Sequence, residues 1–300
     1  MDLNLGRIGI WSLAFTHGDR GAAREAASEL EELGYGALWL GGSPGGNPRG
    51  DLITTSELLT ATKRTVVAPA CVSIWHQPAR ALAAAYHALP ARMRDRLLLG
   101  LGVGHPKLDR DYHRPYTSLR AYLDGLDRAP ALISRSARLL CAHGTKMTLL
   151  AAVRTAGVQP HYTTVGHTAH TRELLGESPL LAPSVSVVLE TDPGKARAMA
   201  RAALAPYLAQ ANYANTWLRS GFGPDDLEAQ GSDRLVDSLF AWGTLERIAE
   251  QVTERLAVGA DHAAVQVVTD SVYGFPLAEW RALAQVLPLK GAGGSTRQVS

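Results

Sequence analysis

Cysteine is scarce in this 300-residue chain: Cys71 and Cys141 are the only two. Their separation excludes a C-x-x-C pair and a disulfide framework, which fits a reducing cytoplasm, and both thiols are expected to be small buried hydrophobes. Excess charge of either sign is also missing. Thirty Lys and Arg stand against 28 Asp and Glu, so no bulk field draws the chain to nucleic acid or to an acidic membrane, and any anion preference must be local. No apolar run approaches the roughly 20 residues that span a bilayer. The opening MDLNLGRIGIWSL lacks a basic n-region followed by a long apolar stretch, so no secretory signal is expected. The dinucleotide fingerprint is absent as well: GLGVGH (100–105) is not G-x-G-x-x-G, and the HPKLDRDYHRP after it does not open a helix. A nicotinamide Rossmann site is therefore not expected.

What the chain has is an alternation. With 46% hydrophobic and 19% charged residues it has ample material for a core. Short apolar runs alternate with longer alanine-rich segments of helical period, the rhythm of parallel strands joined by crossover helices. Strands are expected at 7–13, 36–42, 65–75, 96–103, 137–142, 157–164, 180–192 and 262–270. Helices are expected at 21–34, 51–63, 78–90, 116–129, 145–157, 166–176, 192–209 and 244–260. Eight such units predict an α/β fold of the (β/α)8 TIM-barrel class, with an open doubly wound sheet as the competitor. The stretch 209–240 is too long for a simple connection and is expected to fold as extra helices over the barrel mouth. The whole reads as one domain over residues 1–290 with a flexible Gly- and Ser-rich tail at 291–300.

In a barrel the C-terminal ends of the strands define the site. Strand one ends near Trp11, strand two in the Gly- and Pro-rich rim loop 41–50, and strand three in SIWHQP. His76, His105, His143 and His161 all fall at strand ends. None pairs with another histidine at i,i+2 or i,i+4, so no metal is expected and hydrogen bonding to a polar ligand is the functional reading. Alternating glycines at the end of strand four offer a flat backbone surface to a planar ring or a chain of hydroxyls. At Gly144, Thr145 and Lys146 a helix start, a hydroxyl and an ammonium converge, which suits a phosphate as well as it suits an ordinary Thr145 cap.

Three stretches, ELGYGALWLG, GLGVGHPKL and SDRLVDSLFAWGTLERIAEQVTERLAVGADHAAVQVV, together with the strand order, resemble the bacterial luciferase-like flavin and deazaflavin oxidoreductases from about residue 7 to 270, and in particular their F420-dependent branch. The resemblance implies a cofactor ring at the C-terminal mouth, backed by a non-proline cis peptide that would here be Ser73–Ile74. Gly102, Val103 and Gly104 would touch ring and ribityl chain, while His143, Gly144, Thr145 and Lys146 would hold the phosphate. The family's sugar-phosphate dehydrogenases have a catalytic histidine after strand two and an acid after the strand-four glycines. This chain has Gly41 and Gly42, then His105, which shifts the expectation from alcohol oxidation to reduction.

His105, or else His76, would then donate a proton as hydride reaches a C=C, C=N or C=O group of a small molecule or peptide, in a reaction of specialised metabolism. Trp11, Trp75 and Tyr162 would form substrate walls. Lys107, Arg110 and Arg114 offer a cationic exit for the anionic tail of coenzyme F420, which favours F420 over FMN. The alternatives are an FMNH2-dependent monooxygenase and a non-catalytic barrel serving as a binding subunit. The family's habit is a homodimer.

Overall fold

The computed structural model describes residues 3–42, 47–106 and 109–289. Within them a single sheet of ten parallel strands curls on itself, with helices packed on its outer face. Its strands are β1 Ile8–Ser12, β2 Ala37–Gly41, β3 Val66–Ser73, β4 Leu99–Gly102 and β5 Arg138–Leu140, followed by β6 Gly157–Val158, β7 Leu180–Leu181, β8 Ser184–Val188, β9 Phe240–Trp242 and β10 Ala263–Val267. From β7 back to β1 each strand pairs with its predecessor in the chain, and beyond β1 the order continues β10, β8, β9. Strands β7 and β8 are two parts of one extended segment broken at Pro183. On one side Ala182 and Ser184 donate to the carbonyls of Val158 and Pro160; on the other, Ala264 and Val268 donate to those of Pro183 and Val187. The segment thus carries neighbours on both edges.

The alternation seen in the sequence has a direct physical source. Every residue of β1, IGIWS, and of β2, ALWLG, is buried, as a parallel strand covered on both faces requires. The helix Arg20–Leu33 buries Ala23, Ala26, Ala27 and Leu30, takes its first-turn cap from Asp19, and ends where Gly34 turns left-handed at φ +100°. One apolar cluster fills the space between sheet and helices. A second lies inside the curl and draws on Trp11, Trp39, Ala68, Leu139, Ala182 and Ala264. A third gathers Tyr162, Leu204, Tyr213, Trp217, Leu235 and Trp242 around the inserted helices.

Four expectations are corrected. The cis peptide is Ala70–Cys71 and not Ser73–Ile74; it falls where the β3–β4 register slips between Ala70 and Val72. The strand expected at 157–164 is only two residues long, Gly157–Val158, and further on Tyr162 turns to φ +48°. The strand expected at 180–192 is interrupted at Pro183, which has no N–H to give a ladder. Phe240, taken as the end of the insertion, instead opens the strand Phe240–Trp242 paired with β8. The insertion itself is helical, at Ala211–Arg219, Pro224–Leu227 and Asp233–Leu239. Lys107, residues 43–46 of the rim loop and the tail 291–300 lie outside the described residues.

Candidate functional site

At the C-terminal ends of β3 and β4 the backbone is tied together by Ile74 N–H donating to Gly102 O (3.1 Å) and by the Trp75 indole donating to Val103 O (2.7 Å). Ser73 Oγ accepts the Trp75 N–H at 3.3 Å. Trp75 packs against Tyr112 and His113. The directions that side chains would take from Gly102 and Gly104 are filled by the protein itself. A Cβ on Gly102 would fall 2.1 Å from Cys71 Sγ, and one on Gly104, at φ +58°, 1.9 Å from Asp109 Oδ2. Protein atoms thus already account for the absence of side chains at both positions.

Asp109 is the residue that sequence reasoning missed. Its Oδ2 accepts the His105 N–H at 2.8 Å, and its Oδ1 lies 3.7 Å from His76 Nε2, so one carboxylate links both candidate proton donors. The signal was the H-x-x-x-D spacing after the glycines. On the other side of His105, Nδ1 lies 3.2 Å from Asn212 Oδ1, on the first inserted helix. Burial lowers the His105 pKa, while Asn212 and Asp109 pull it upward.

Tyr213, one residue further along that helix, packs its ring 5.7 Å from His105 and 4.7 Å, edge on, from His143. His161 stacks on Trp11 at 4.6 Å and 25°, and packs against Tyr162 and Tyr207. Its Nδ1 is hydrogen-bonded to Ser184 Oγ, its Nε2 is buried without a partner, and burial pushes its pKa down to about 3. His143 is held well below the usual histidine range by burial and by the neighbouring His167, His161 and His105, and its Nδ1 is likewise buried and unpartnered. The Tyr162 backbone is fixed by the Trp217 indole, which donates to Tyr162 O at 2.9 Å.

The structure therefore brings Trp11, His105, His143, His161 and Tyr162 together around Tyr207 and Tyr213, and places Ser73, Ile74, Trp75, His76, Gly102 and Val103 along the adjoining strand-three and strand-four rim. Gly144 heads the helix Thr145–Arg154, with nothing within 4 Å of where its Cβ would stand. Thr145 and Lys146 are exposed. Chemically, the site offers neutral imidazole nitrogens and aromatic faces, with Asp109 as the carboxylate nearest the two histidines. Among the described residues no group of three or more His, Cys, Asp or Glu could hold a metal ion, and no helix is long and apolar enough to cross a membrane.

The fold this geometry sits on is shared with known proteins. The chain is similar to the coenzyme F420-dependent tetrahydromethanopterin reductase of Methanopyrus kandleri, with a TM-score of 0.73, 13% identity, and coverage of 94% of this chain and 98% of that one. It is also similar to an F420-dependent secondary alcohol dehydrogenase solved in complex with an F420–acetone adduct, with a TM-score of 0.70 at 11% identity over 95% and 98% of the two chains. A third structure is the oxygenating constituent of 3,6-diketocamphane monooxygenase from Pseudomonas putida in complex with FMN, with a TM-score of 0.67 at 14% identity over 96% and 98%. At these identities the shared property is the fold. No family model matches the chain, and no curated protein matches its sequence.

Proposed function

We propose that this chain is an F420H2-dependent oxidoreductase that reduces a C=C, C=N or C=O group of a small molecule or peptide. In this reading it is a single (β/α)8 domain over residues 1–290, the Leu180–Val188 segment acting as one barrel strand, and it works in the cytoplasm as a homodimer. The observation that carries it is the convergence of His105, His143 and His161, each with its pKa lowered by burial, at the strand ends of a fold that F420- and FMN-dependent enzymes also use.

The residues fit a planar heteroaromatic cofactor. His161 Nε2 and His143 Nδ1 are buried polar atoms without partners, a costly condition that a ligand would relieve. Gly144 leaves free space at a helix start, where Gly144, Thr145 and Lys146 would hold a phosphate. Ser73, Ile74, Gly102, Val103 and Gly104 would back the ring, and exposed Arg110 and Arg114 would meet an anionic tail. When bound, the deazaflavin supplies the hydride.

The chain's own residues manage the proton. With Asn212 Oδ1 accepting from Nδ1–H, His105 presents Nε2 toward the substrate. Nε2 would take up a proton from solvent, and because burial lowers the His105 pKa it would pass that proton readily to the reduced substrate, returning to the neutral ring. Asp109 fixes the His105 backbone and stands beside His76, the alternative donor. Trp11, Tyr162 and Tyr213 exclude water. The FMN-bound neighbour favours a second reading, an FMNH2-dependent monooxygenase supplied by a separate flavin reductase. Incubating the chain with F420H2 and a panel of unsaturated acceptors tests the first reading through acceptor-dependent reoxidation of F420H2. Oxygen uptake with reduced FMN, and no reoxidation of F420H2 by any acceptor, would replace it with the second.

A further inference from the structure

A crevice of about 320 Å³ opens beside the start of the helix Val165–Leu175, on the side where the helix Leu245–Ala257 packs. Thr164, Gly166, Gln251, Glu254, Asp237 and Arg255 contribute to its lining. Arg255 is the unusual member. Its side chain is 4% exposed, and its Nε and Nη1 are both buried with no hydrogen-bond acceptor. No carboxylate lies within ion-pair distance among the described residues. A buried guanidinium left without a counter-charge is strongly unfavourable in ordinary circumstances.

The wall opposite is also positive. Thr164 caps its helix by accepting the His167 N–H, which leaves the first-turn N–H groups of Val165 and Gly166 without partners inside the helix. The acidic neighbours do not neutralise this. Asp237 is held by Arg197 through two hydrogen bonds and by the Trp242 indole. Glu254 attracts the Arg255 charge but is exposed and makes no hydrogen bond to it. Burial pulls the Arg255 pKa down to about 10, so the group is still charged at neutral pH.

We propose that this crevice is a phosphoryl oxyanion site, with the Arg255 guanidinium on one side and the Val165 and Gly166 N–H groups on the other. It is separate from Gly144–Lys146 and does not depend on the cofactor reading.

Thermal unfolding of the full chain tests it, in orthophosphate and in chloride at equal ionic strength. The wild type should show a saturable rise in Tm with orthophosphate alone. Lys146→Ala should keep that rise, Arg255→Met should lose it, and Arg255→Lys should retain part. In chloride, Arg255→Met should match or exceed the wild type in Tm, since it removes an unpaired buried charge. A monoester such as glycerol phosphate that stabilises more than orthophosphate would assign the site to a larger phosphorylated ligand; equal or weaker stabilisation would assign it to the free ion. No phosphate response in the wild type, or a response that survives Arg255→Met and vanishes in Lys146→Ala, overturns the proposal.

Discussion

Lowering the pH from 6.5 to 5 should destabilise this protein although no carboxylate pair is yet broken. The cause is histidine buried in the neutral form. His161 is pushed down to about 3 and His262 to about 4, against an ordinary value of 6.5. His262 is locked as a neutral ring, with Nε2 accepting from the Trp39 indole at 3.0 Å and Nδ1–H donating to Gly6 O at 2.9 Å. Below pH 6.5 the unfolded chain takes up protons that these rings refuse, so stability falls by up to about 1.4 kcal/mol per pH unit for each, or about 3 kcal/mol for the pair between pH 6.5 and 5. Asp51 works in the opposite direction. Desolvation raises it to about 6, so the folded state protonates it first and regains about 1.4 kcal/mol by pH 5.

His143, His105 and His167 are also lowered and add to the loss. Glu31 accepts three backbone N–H groups and the Thr65 hydroxyl, which hold it down to about 2, so its contribution is lost only below about pH 4.5. The net is a loss of roughly 2 kcal/mol or more, a sizeable share of the ~5–15 kcal/mol typical of a folded protein. Urea denaturation at pH 6.5, 6 and 5 measures it. His262→Gln should make the dependence shallower by about 1.4 kcal/mol per pH unit. Stability that is flat or rising between pH 6.5 and 5 would refute the reasoning.

Three further outcomes follow from single contacts. Asp127→Asn should cost about 2 kcal/mol by urea midpoint, because it strips the carboxylate from Arg138, whose side chain is fully buried; the figure is below that for a closed ion pair since Asp127 is partly open to water. Gly102→Ala should destabilise by about 1–3 kcal/mol through collision with Cys71 Sγ, and much of that should return in a Cys71→Ala background, read as a double-mutant cycle. His105→Ala should slow hydride-coupled reduction by about 100-fold or more while leaving cofactor affinity unchanged in a binding titration; a full rate would move the proton donor to His76 or solvent.

Most of the strands and helices could be read from the sequence because parallel strands buried on both faces, such as ALWLG, appear as uninterrupted apolar runs, and helices such as RGAAREAASELEEL show one small apolar face. The reading failed where one residue overrode a run. Tyr162 leaves the strand region, Pro183 breaks a ladder, and Phe240–Trp242 continues a helix-like pattern while its partner lies more than fifty residues away. The strand-end histidines were legible because strand ends were. Asn212 and Tyr213 were not, since 107 positions separate Asn212 from His105 and nothing in the local composition of the insertion marks its contacts. Gly102 and Gly104 were legible as glycines that something approaches, but the sequence could not tell that Cys71 and Asp109 are what approaches.

The central claim is that the strand-end site takes a deazaflavin. Titrating the full chain with F420 and, separately, with FMN, following absorbance and fluorescence of each, tests it most directly. The account predicts saturable quenching or a spectral shift with F420 at micromolar concentration, weakened by Lys146→Ala and absent with FMN. Binding of FMN alone, or of neither cofactor, would contradict it.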